Sequence, residues 1–105
     1  MDKNTLKALK GSIKKWEKIV DGTGEDDGKY NCPLCQKFIN INCDGCPVAE
    51  KTKKSFCCGS PIDDWGDYCP NVMIPCKISD FPKSAQAKAT RLAQAELDFL
   101  RSLLP

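Results

Sequence analysis

Four cysteines in the stretch Cys32-Pro-Leu-Cys35-Gln-Lys-Phe-Ile-Asn-Ile-Asn-Cys43-Asp-Gly-Cys46-Pro47 have the types and spacing for metal chemistry. A Cys-x2-Cys turn points two sulfurs to one side at a separation that suits a tetrahedral metal, and two such turns complete a four-thiolate shell. Seven residues separate the pairs, in a chain with eight cysteines and no histidine. The expectation is therefore a Zn2+ held by Cys32, Cys35, Cys43 and Cys46. An iron–sulfur cluster accepts the same donors, but the tight Cys-x2-Cys-x2-Cys run of bacterial ferredoxins is absent. A closed four-cysteine shell leaves no position for water, and no histidine stands ready as a general base, so an enzyme is not expected.

Cys32-Pro33-Leu34-Cys35 also matches the redox dithiol of glutaredoxins, which belongs between a strand and a helix in a βαβ unit. Here it follows a loop rich in glycine and aspartate. It precedes Phe38-Ile39-Asn40-Ile41, whose alternation predicts a short strand. The ligand role is favoured. Pro47 suits a first helical turn, and a short helix is predicted through Lys54. Cys46 then sits at a helix N-terminus, where backbone N–H groups stabilise a thiolate. A turn, a hairpin and a second turn entering a helix resemble a treble-clef finger. A simpler double zinc knuckle fits the short gap equally well.

The other cysteines leave three arrangements open. Cys32, Cys35, Cys43 and Cys46 bind one zinc and the rest are ordinary buried thiols. Alternatively, Cys57 replaces Cys43. In the third, a second site draws on Cys57, Cys58, Cys69 and Cys76, although adjacent Cys57 and Cys58 diverge when extended and do not easily share a metal. The first arrangement is preferred because chelate pairing is local. A disulfide framework ranks behind all three. No apolar run follows Met1-Asp2-Lys3 to mark secretion, so a reducing cytoplasm is expected.

With these residues in view, the chain resembles a group of small cysteine-rich proteins from phages and prophages. They share Cys-Pro-Leu-Cys, then Cys-x-Gly-Cys-Pro, then Cys-x-Gly-Thr-Pro-Tyr followed by Trp. The last element here is Cys57-Cys58-Gly59-Ser60-Pro61-Ile62 with Trp65 after it, so Ser60 and Ile62 depart from the pattern. The resemblance spans roughly Trp16 to Trp65. It implies a metal-binding fold in a bacterial host cytoplasm and brings no activity with it.

The elements that must position the cysteines follow from periodicity. One domain is expected over residues 1–105, α+β but mainly helical: a treble-clef or zinc-knuckle-like module clasped by N- and C-terminal helices. Residues 3–20 read as an amphipathic helix, with Leu6, Leu9, Ile13, Trp16 and Val20 on one stripe and Gly22 as its cap. Lys3, Lys7, Lys10, Lys14 and Lys18 form a second stripe. Residues 1–20 hold six lysines against Asp2 and Glu17, a net charge of +4 within a chain of +2. A solvated helix face is the plainer reading of that stripe. Residues 21–31 are an acidic loop without the calcium-loop spacing. The cysteine module is expected over 32–78. Within it, Ile62–Tyr68 is predicted as an acidic loop whose Trp65 and Tyr68 cover the metal module or, if exposed, anchor a partner.

Residues 79–105 are predicted as a helix capped by Ser79 or Asp80, with Ala89, Leu92, Ala93, Leu97, Leu100 and Leu104 on its core face, widened by Phe99 and Leu103. That face is broad enough for the first helix and either the cysteine module or a second subunit, which leaves monomer and homodimer both open. No stretch is long and apolar enough to span a membrane. The expected function is a structural-zinc module for protein interaction, for instance a phage protein binding a host factor. The alternative is a nucleic-acid binder using Lys7, Lys10, Lys14 and the rest of the stripe. Near-neutral charge and two arginines, Arg91 and Arg101, favour the protein partner.

Overall fold

The computed structural model describes residues 1–54, 59–68 and 76–105. Cys57, Cys58 and Cys69 lie outside them. The fold is mainly helical, with five α-helices and no strand among the described residues.

Helix α1 (Lys3–Asp21) begins at Asp2, whose carboxylate accepts the Thr5 N–H at 2.7 Å and is held below the usual carboxylate range by that bond. It ends at Gly22, in the left-handed region at φ 90°. Leu9, Ile13, Trp16 and Ile19 are buried, Leu6 and Val20 flank them half-buried, and the five lysines of the second stripe are exposed. Gly11 lies within the helix for a packing reason. A Cβ there would lie 2.9 Å from Pro33 Cγ, so glycine lets the next helix approach closely.

That helix is α2 (Pro33–Phe38), with Cys32 as its N-cap residue and proline in its first turn. The strand expected over Phe38–Ile41 is not formed. Phe38 closes α2 and Ile39–Ile41 make a 3-10 turn. Asn42, Cys43 and Gly45 then adopt positive φ values of 55°, 62° and 87°. This left-handed run folds the chain back so that the Cys43 N–H reaches Phe38 O at 2.9 Å, a local closure that leaves no extended edge to pair. Among the described residues the mainly helical part of the α+β expectation holds and no strand supports its β part. Helix α3 (Pro47–Thr52) starts at Cys46 as expected and stops at left-handed Lys53 (φ 62°).

Ile62–Tyr68, expected as a loop, is helix α4. Asp63 and Asp64 in its first turn complement the helix dipole, and Asp63 accepts the Gly59 N–H at 2.8 Å. The last helix, α5 (Lys83–Ser102), starts later than predicted. Pro82 disfavours a helical conformation at Phe81, which is extended (φ −82°, ψ 149°). Ser79 and Asp80 therefore stay in a separate 3-10 turn, Ile78–Asp80. Ala89, Ala93, Leu97 and Leu100 are buried as expected, with Leu92, Phe99 and Leu103 half-buried. Leu104 lies past the helix end and is 39 % exposed, so it is not a core residue.

Helix α1 packs against both α5 and α2, and α5 also carries α4. Trp16 and Trp65 meet edge to face at 5.4 Å, and Phe81 continues the cluster 5.7 Å from Trp65. Asp26 joins these parts. Its backbone forms an isolated antiparallel bridge to Cys76 (2.7 and 2.8 Å), and its carboxylate accepts Lys15 Nζ at 2.8 Å, the Gly28 N–H at 2.9 Å and the Trp65 indole N–H at 3.0 Å. The segment expected as an acidic loop thus contributes a buried residue that links α1, α4 and the chain at Cys76.

Candidate metal centre

Cys32 and Cys35 lie at the start of α2, one turn apart. The Cys32 sulfur is 3.7 Å from Ser12 Oγ on α1, and Ser12 Oγ in turn accepts the Leu34 N–H at 3.3 Å. A hydrogen bond with Cys35 pushes the Cys32 thiol far up, and burial adds to it. Cys43 and Cys46 are both buried and bracket the Asp44–Gly45 turn, closed by the Cys46 N–H on Cys43 O at 3.0 Å. Burial raises the Cys46 thiol, opposed by the N–H groups of Ala49 and Val48 in the first turn of α3. The next influences on it are Cys43 and then Cys32, so the two Cys-x2-Cys turns reach one another electrostatically.

The donor chemistry of these four residues suits a soft, tetrahedral dication. As placed, however, no group of three or more Cys, Asp or Glu side chains converges to hold a metal ion among the described residues. None of the described cysteines is in a disulfide. Cys76 is buried and engaged through its backbone with Asp26.

The other sequence-predicted site residues separate clearly. Lys7, Lys10 and Lys14 are exposed together with Lys3 and Lys18 on α1. Trp65 is 1 % exposed and gives its indole N–H to Asp26, so it is a core residue and not a surface anchor. Tyr68 is half-buried, stacked on Phe81 at 5.4 Å with Lys88 Nζ 4.6 Å from its ring.

Two residues beside the cysteines escape a reading by motif. Asp26 lies among consecutive carboxylates, and no spacing distinguishes it. Glu96 does leave a signal: it falls on the face of α5 defined by Ala89, Ala93, Leu97 and Leu100, where a carboxylate is out of place. It is 2 % exposed. Burial, with the nearby Cys32, pushes its pKa up to about 8, against a hydrogen bond from Ser60 and the charge of Lys15. No protein-family model matches the chain, nor does any curated protein or solved structure.

The raised pKa predicts a pH dependence of stability. Glu96 holds its proton in the fold well above the ordinary value of 4.5. Its contribution is therefore complete below that value and is lost as pH rises toward about 8. Urea unfolding is expected to show stability falling by on the order of 4 kcal/mol across that window. Glu96→Gln should flatten the slope, and an unchanged slope in the variant would contradict the assignment.

Proposed function

We propose that the protein is a small helical scaffold in which Cys32, Cys35, Cys43 and Cys46 hold one structural Zn2+, with α1 presenting a lysine ridge to an acidic protein partner. Cys57 is the alternative to Cys43 in the shell. Bound there, zinc would supply folding free energy to a small domain and no open coordination position for chemistry. The resemblance to phage proteins makes a host factor the candidate partner.

The observation that carries the docking role is the ridge itself. Lys3, Lys7, Lys10, Lys14 and Lys18 recur every three or four residues along about 22 Å of helix. All five are exposed and none is ion-paired among the described residues. Like charges at such spacings each cost a helix about 0.2–0.5 kcal/mol. A face that disfavours its own helix is supported by what it binds. Trp65 is withdrawn into the core and Tyr68 is half-buried against Phe81, which leaves the ridge as the fully exposed part of the predicted set.

Four measurements check this reading. Freshly purified protein should carry about one equivalent of zinc by elemental analysis, and less than about half an equivalent would contradict a single structural site. Cys43→Ser and Cys57→Ser, compared in turn, should identify the fourth ligand by which one loses the metal. Lys10→Glu places a carboxylate between Lys7 and Lys14, so it should stabilise the fold by about 0.5–1 kcal/mol at low salt. Destabilisation would make the ridge structural. A DNA or RNA gel shift that weakens as salt rises would transfer the ridge to nucleic-acid binding; none is expected.

A further inference from the structure

All five helices border a partly open pocket of about 380 Å3 beside Cys32 and Cys35. Trp16, Leu34, Val48, Ile62 and Leu100 make much of its wall apolar. Lys15, Asp26 and Glu96 also line it. Lys15 and Asp26 neutralise each other at 2.8 Å, with side chains only 7 % and 8 % exposed. Among the described residues Glu96 makes no ion pair; Ser60 hydrogen-bonds its carboxyl group, but its Oε1 has no hydrogen-bond partner. A buried polar atom left unmatched is costly, and a ligand that supplies the missing donor recovers that cost on binding. An ammonium supplies that donor and favours the ionised carboxylate, which reproduces the Lys15–Asp26 pairing in the same pocket.

Size narrows the body attached to it. An enclosed apolar cavity of about 150 Å3 holds a benzene ring, so this larger, partly open pocket has room for a ring with a tail. We propose that the cavity is a binding site for a small arylalkylamine, its ring against Trp16, Leu34 and Leu100 and its ammonium on Glu96. Cys32 and Cys35 form part of the same wall, so the ligand would lie against the metal-binding turn. The site is independent of the lysine ridge and of what docks there.

The test titrates the zinc-loaded 105-residue chain with phenethylamine and with its neutral counterpart 2-phenylethanol, following the indole signals of Trp16 and Trp65 by NMR. The amine should bind saturably and about tenfold more tightly than the alcohol. Glu96→Gln should remove that preference, and Ile62→Trp, which fills the cavity, should abolish binding of both. Absence of saturable binding, equal affinities in the unaltered chain, or a preference that survives Glu96→Gln would each overturn the proposal. So would binding retained by a folded Ile62→Trp, which decides the matter if Glu96→Gln does not fold. Zinc is measured in the same samples. Release of zinc by the amine overturns the cavity assignment, whereas a chain isolated without zinc contradicts the metal reading alone.

Discussion

The carboxylate of Asp26 sits out of water with one oxygen on the Lys15 ammonium and the Gly28 N–H, and the other on the Trp65 indole. Its backbone meanwhile pairs with Cys76. A buried ion pair gains little net stability over an apolar pair, because desolvating two charges offsets their attraction. Its effect lies in what it forbids. A shift of α1 relative to α4 would leave a buried charge or a buried indole N–H without a partner. Uncoupling one member of such a pair typically costs about 3–5 kcal/mol. Lys15 must therefore face inward although its lysine neighbours on α1 face out, and Trp65 must meet Trp16 where it does.

Once α1 is held by that node, its remaining faces are committed. Leu9, Ile13 and Trp16 belong to the buried core, Gly11 admits Pro33 of α2, and the lysine ridge is left to solvent. The approach of α2 brings Cys32 next to Ser12, so α1 also sets where the first cysteine pair stands. The second pair is placed by a different device, the left-handed run through Asn42, Cys43 and Gly45. Packing from one side and backbone geometry from the other bring both pairs to the same region of a small core.

Elements with a long, repeated period were legible in the sequence. Helix α1 follows from the recurrence of Leu9, Ile13 and Trp16, and most of α5 from its alanines and leucines. Shorter signals misled for identifiable reasons. Four residues of alternation at Phe38–Ile41 fit a strand and a tightly wound turn equally well, and the positive φ values that decided the matter belong to residues after them. The acidic composition of Ile62–Tyr68 suggested a loop, although carboxylates in a first helical turn are favourable. Pro82 acted through the residue before it and moved the start of α5. In the candidate site, the spacing of Cys32, Cys35, Cys43 and Cys46 was plain, and so was the exposed lysine stripe. Asp26 was not, because its partners come from α1, α4 and its own loop, and a long-range convergence of that kind leaves no local pattern. Glu96 was the intermediate case: its place on an apolar face could be read, but not the cavity it borders.

A double-mutant cycle on Lys15→Met and Asp26→Asn tests most directly whether the fold depends on this buried pair. Each single substitution leaves the other partner buried without its counter-charge, whereas the double substitution removes both charges. Denaturant unfolding should show the double variant more stable than the sum of the two single losses by about 2–3 kcal/mol. Losses that add to within about 0.5 kcal/mol would contradict the account.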